Sequence, residues 1–90
     1  MATIKLFGNL RQMAGKPTVS VDGQTVFELL ENLRPQYISI VDAILEEAKL
    51  KLYYKIMVNG IDISLSQGLD TPVNANDVVA IFPPIAGGKV

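Results

Sequence analysis

The residues best suited to chemistry stand at the end of the chain, where Phe82-Pro83-Pro84-Ile85-Ala86-Gly87-Gly88 is followed by Lys89 and Val90. The run Val78-Val79-Ala80-Ile81-Phe82 reads as a strand, and the two prolines after it cannot continue a ladder and hold the backbone extended. Gly87 and Gly88 carry no Cβ and can pass through a channel too narrow for any other residue. The result is a slender tail, held away from the body and suited to insertion into a partner. Side-chain chemistry is scarce by comparison. The chain has no cysteine and no histidine, which excludes thiolate metal sites, a cysteine nucleophile and the commonest acid-base residue. Glu28, Glu31, Glu46 and Glu47 fit capping and solvated helix positions, and no pair of them has the context of an acid-base couple.

Something must position that tail, and 90 residues suffice for one modest core. We read residues 1–82 as a single domain and residues 83–90 as its extended tail. Apolar residues make up 49% of the chain, too many for a disordered segment. The formal net charge is -1, with acids and lysines interspersed. Nucleic acid is therefore a poor partner, for want of a basic patch. Met1-Ala2-Thr3 does not open a signal peptide, and no apolar run approaches the roughly 20 residues of a membrane span. The expected location is the cytoplasm, with no membrane partner.

Ile4, Leu6 and Leu10, alternating with Lys5 and Phe7, predict a first strand ending near Gly8 or Asn9, and Arg11 to Pro17 a turn. Val19 and Val21 then mark a second strand, antiparallel to the first. Thr25-Val26-Phe27-Glu28 is a capping box, and Val26, Leu29, Leu30 and Leu33 give the main helix one apolar stripe. Pro35 ends it. Ser39 with Asp42 suggests a second cap before a short helix carrying Val41, Ile44, Leu45 and Ala48, with Glu47 and Lys51 paired at four-residue spacing. Leu50, Leu52, Tyr53 and Tyr54 are expected in the core or at its rim. Tyr54 to Val58 and Ile61 to Ile63 flank Asn59-Gly60, the strongest hairpin signal in the chain. Gly68 to Pro72 is an irregular turn with Leu69 plugging the core, and Asn74 to Asp77 a further turn.

This order is that of an α+β domain with four to five strands in one mixed sheet, one main helix and a short second helix. A hairpin, a crossing helix and a final strand running into a tail describe a β-grasp, with first and last strands parallel at the centre. Val79 and Ile81 would then point inward. Phe7, Ala80 and Phe82 would share the opposite face, an apolar patch beside the tail of the kind that marks a partner surface. Lys5 and Arg11 would steer acidic partner segments.

Ile4-Lys5-Leu6-Phe7-Gly8-Asn9-Leu10-Arg11, Thr25-Val26-Phe27-Glu28-Leu29-Leu30, Gly68-Leu69-Asp70-Thr71-Pro72 and Ile81 to Gly88 resemble the ubiquitin-like sulfur carriers, specifically the small subunit of molybdopterin synthase (MoaD-like). The thiamine-pathway carrier (ThiS-like) shares the fold and the glycines but usually lacks the proline pair.

The resemblance implies that Gly88, with Gly87 beside it, is the reactive end. A ubiquitin-activating-like adenylating enzyme would spend ATP to attach adenylate to its carboxylate, and a partner's persulfide would displace the adenylate to leave a thiocarboxylate. Its sulfur would pass to a pterin precursor in the molybdopterin synthase large subunit. The carrier itself would bind no cofactor or metal and would be a cosubstrate rather than an enzyme. Phe7, Ala80, Phe82, Pro83, Pro84, Ile85 and Ala86 would meet the partners. Activated members of the family end at the second glycine, whereas Lys89-Val90 follows it here. Either a processing peptidase removes the dipeptide or the chain is a variant that carries no sulfur; we favour processing. Carriers for thiamine or tRNA thiolation, a modifier conjugated to lysines, and a noncatalytic β-grasp binding domain remain alternatives.

Overall fold

A computed structural model describes residues 1–84. Strand β1 (Ala2–Leu6) buries Ala2, Ile4 and Leu6 and exposes Lys5. Helix α1 (Asn9–Ala14) follows, stopped at Gly15, whose φ of 76° is left-handed, a conformation glycine adopts without steric cost. Strand β2 (Thr18–Val21) returns antiparallel to β1, with Val19 opposite Ile4. The first strand thus stops at Leu6, short of Gly8 or Asn9, and the expected turn over residues 11–17 begins as a helix. Leu10 is fully buried, but from α1. It stands four residues from Leu6, a spacing that fits a strand's period of two as well as one helical turn.

Helix α2 (Val26–Leu33) forms as its capping box demands. The Glu28 amide donates to Thr25 Oγ1 at 3.1 Å, and Glu28 Oε1 accepts from the Gln24 amide at 2.9 Å. Val26, Leu29, Leu30 and Leu33 are all buried. Each contributes roughly 1.5–3 kcal/mol, against intrinsic helix preferences of about half a kcal/mol per residue, so packing fixes this helix. Helix α3 (Ile38–Ile44) buries Ile40, Val41 and Ile44. Ser39 does not cap it: Tyr37 holds the cap position without a side-chain bond. Asp42 instead accepts from Arg34 Nη1 at 2.6 Å, and Arg34 also pairs with Glu31 at 3.3 Å.

Helix α3 is shorter than its apolar stripe suggests. Leu45 is buried as part of β3 (Leu45–Glu46), which pairs with β4 (Lys49–Leu50) across a tight turn. Glu47 and Ala48 make that turn with φ of 52° and 63°, so Glu47 never stands one helical turn from Lys51. Leu52 and Tyr53 are 80% and 82% exposed, neither core nor rim, while Leu50 and Tyr54 pack partly against the core. Strands β5 (Lys55–Val58) and β6 (Ile61–Asp62) flank Asn59-Gly60 as expected, with φ of 51° and 86° there. Ile63 opens a 3-10 turn instead of extending β6, because the Asp62 carboxylate accepts from the Ser64 amide at 2.9 Å. In the following turn, Gly68–Asp70, Leu69 is only half-buried. The buried residue is Thr71, whose hydroxyl donates to the Gly68 carbonyl at 2.7 Å.

Strand β7 (Val78–Phe82) completes a five-stranded sheet of order β2-β1-β7-β5-β6. Its pairing with β1 is parallel and with β5 antiparallel. The inward residues Ile4, Leu6, Ile56, Val79 and Ile81 share one core with the stripes of α2 and α3. This is the β-grasp, an α+β fold with first and last strands side by side at its centre.

Candidate functional site

The last described residues leave the body from β7, the middle strand. Along it Val79 and Ile81 are buried, while Val78, Ala80 and Phe82 are half-buried on the other face. Parallel pairing sets Leu6 beside Ile81 and Lys5 beside Ala80. Continued by one step, the register brings Phe7, just past the end of β1, against Phe82, the last residue of β7. Phe7 and Phe82 stack with ring centroids 4.5 Å apart and planes inclined by 13°. Phe7 remains 37% exposed, so an incoming partner can still cover this pair.

Strand β5 completes the face. Lys55 stands opposite Phe82 and Met57 opposite Ala80, with buried Ile56 between them pointing to the core. Lys5, Ala80 and Met57 thus form one row, and Phe7, Phe82 and Lys55 the next. Neither Met57 nor Lys55 was legible as part of this surface. Their place depends on the pairing of β5 with β7 across about twenty residues of chain, which no local signal encodes. Lys55 Nζ lies 3.3 Å from Asp62 Oδ2. The Asp62 carboxyl titrates below the ordinary carboxylate range, chiefly because the Ser64 amide and hydroxyl bond to it and then because Lys55 is near.

Pro83 sits over Gly8, and Pro84 is exposed. Arg11 and Lys16 line an open concavity of about 560 Å³ that also includes Gly8. It is too open to enclose a small molecule and suits the steering of an acidic segment. Ile85, Ala86, Gly87 and Gly88 lie outside the described residues. Among the described residues no group of three or more acidic, histidine or cysteine side chains could hold a metal ion, and no helix is long and apolar enough to cross a membrane.

At its start, the end away from the tail, β7 is also fixed by side chains. The Asn59 amide donates to the Val78 carbonyl at 2.8 Å, and Asn59 Oδ1 accepts from the Val78 amide at 2.9 Å. Asn59 Nδ2 donates to Asp77 Oδ1 at 2.9 Å, and the Asn74 amide donates to Asp77 Oδ2 at 2.8 Å. These two donors, Asn59 first, hold the Asp77 carboxyl below its usual range.

What the site offers is an apolar, cation-flanked face and a proline-led exit beside it. Known proteins are similar to this chain in sequence and in fold. The small archaeal modifier protein 3 of Haloferax volcanii is 26% identical over 88 residues, covering 94% of this chain and 96% of its own. The molybdopterin synthase sulfur carrier subunit of Dictyostelium discoideum is 33% identical over 89 residues, covering 94% of this chain and 93% of its own. Among solved structures, the BexX/CysO complex of Amycolatopsis orientalis contains a chain that superposes with a TM-score of 0.90 at 29% identity, covering 98% of this chain and 100% of that one. The ThiS family itself matches residues 4–88, from the first strand through the second glycine. With sequence, topology and relatives in agreement, the chain belongs to the ThiS family of ubiquitin-like sulfur carriers.

Proposed function

We propose that the protein carries sulfur as a thiocarboxylate on Gly88 and delivers it in molybdopterin synthesis. The observation that supports this most is the exit of Pro83-Pro84 from the central strand beside the stacked Phe7 and Phe82. One docking face can hold the body while the tail reaches a site that the body cannot enter. Phe7, Ala80 and Phe82 dock, Pro83 to Ala86 span the channel, and Gly87-Gly88 fit its narrow end.

Hydrolysis of the Gly88–Lys89 peptide bond first frees a carboxylate. A carboxylate oxygen then attacks the α-phosphorus of ATP on an adenylating enzyme, releasing pyrophosphate. A partner's persulfide sulfur attacks the acyl carbon and expels AMP, and a thiol cleaves the resulting acyl disulfide to leave the thiocarboxylate. The chain supplies no acid or base to these steps, so it is a cosubstrate. A pterin acceptor in a large synthase subunit is supported by the name of the Dictyostelium relative and by the proline pair.

The test is intact-protein mass spectrometry of a chain ending at Gly88, incubated with activating enzyme, ATP and a sulfur donor. The expected product is heavier by the difference between sulfur and oxygen, and a chain lacking Gly88 gains nothing. An unchanged mass for the chain ending at Gly88 rejects the reading. A second reading is favoured by the Haloferax relative's name: the acyl adenylate is attacked by a lysine amine of another protein, forming an isopeptide bond. It predicts conjugates of higher mass that depend on the same enzyme.

A further inference from the structure

We propose that Gly8 is the seat that aims the tail, acting as a positioning residue through its contact with Pro83. The inference rests on the sulfur-carrier reading and adds to it a determinant outside the tail and outside the apolar face.

Gly8 has φ 59° and ψ -136°, close to a region that only glycine occupies readily. A Cβ built on it would stand 2.9 Å from Pro83 Cγ and 3.6 Å from Pro83 Cδ, well inside van der Waals separation for the first. The contact continues a series. Strands β1 and β7 run parallel with Leu6 beside Ile81, the next pair is the stacked Phe7 and Phe82, and the one after it is Gly8 and Pro83. At that third step Pro83 has no amide hydrogen to donate to the ladder. The close fit of its ring on Gly8 then takes over the placing of the chain. Since the ring also fixes φ at Pro83, the place of the ring sets the direction in which Pro84 leaves. A glycine at position 8 is thus required twice, by its own backbone angles and by the proline lying on it.

These two requirements separate experimentally. Strain at positive φ follows any substitution of Gly8, whatever stands at position 83, whereas the clash needs the proline ring. In chains ending at Gly88, kcat/KM for adenylation by the activating enzyme is measured for the parent, Gly8→Ala, Pro83→Ala and the double variant. Gly8→Ala is expected to lower kcat/KM by about tenfold, since small misplacements of a reacting end are costly. In the Pro83→Ala background the same substitution is expected to cost at most about twofold, most of the loss having been relieved. Equal losses in both backgrounds overturn the proposal and leave Gly8 a purely structural residue.

A nuclear Overhauser contact between the Gly8 Hα protons and the Pro83 ring, sought in the full chain, provides a readout independent of activity. Its presence is expected, and its absence overturns the seat even where Gly8→Ala fails to fold. If the parent ending at Gly88 is never adenylated, the sulfur-carrier reading fails, and the Overhauser contact still decides whether the seat exists.

Discussion

At the scale of single residues, the anchoring of β7 at its start depends on a carboxylate. Asp77 is held ionised by Asn59 Nδ2 and the Asn74 amide, so its folded-state pKa lies below its unfolded one. Such a group stabilises the fold fully above the unfolded value of about 4, and its contribution is lost as pH falls through the lower folded value. The thermal midpoint of the parent is therefore expected to exceed that of Asp77→Asn by a constant margin between pH 7 and pH 5. The margin should close as the pH drops below about 4; a gap that is unchanged at low pH rules out this role. Phe7 obeys a different rule. Removing its ring forfeits a stacked pair worth about 0.5–1.5 kcal/mol, so Phe7→Ala should lower stability modestly in urea unfolding. Its larger effect is expected in weaker binding to the activating enzyme, measured by calorimetry.

At the scale of elements, the cap on α2 is the clearest case of sequence dictating structure. Thr25→Ala leaves the Glu28 amide without its side-chain acceptor and is expected to cost about 1 kcal/mol in urea unfolding. Thr25 with Glu28, the stripe from Val26 to Leu33 and Asn59-Gly60 were legible because each meets a local requirement with the residue types that suit it. The turn at Glu47-Ala48 was not, since both take positive φ although neither type favours it. There the short pairing of Leu45 with Leu50 and Glu46 with Lys49 overrides local preference. Helix α1 was hidden because six residues give too little periodicity to tell from a strand's. In the candidate site, Phe7, Ala80 and Phe82 could be placed on one face from alternation once the first and last strands were set side by side. Met57 and Lys55 could not, because alternation says which face of β5 they occupy but not which strand lies beside it. Gly8 was visible only as a possible end of the first strand, since its role toward the tail depends on Pro83, 75 positions later in the chain.

At the scale of the whole molecule, body and tail answer to separate tests. The sheet's ladder ends at Phe82, so a chain trimmed after that residue should unfold within about 0.5 kcal/mol of the parent. The same chain should accept no adenylate and no sulfur in the mass assay. A large loss of stability would mean that the tail is part of the body rather than something it presents.

The position of β7 has a consequence for how the protein comes into being. It is later in the chain than every other strand, yet it lies between β1 and β5 in the sheet. Until residue 82 has emerged from the ribosome, the five-stranded sheet exists only as two separate pairs, β2-β1 and β5-β6, with no strand to join them. A premature stop before Val78 removes the bridge as well as everything after it. A chain cut short before β7 therefore never completes the scaffold, and quality control that removes unfinished sheets removes such chains before they can compete for partners.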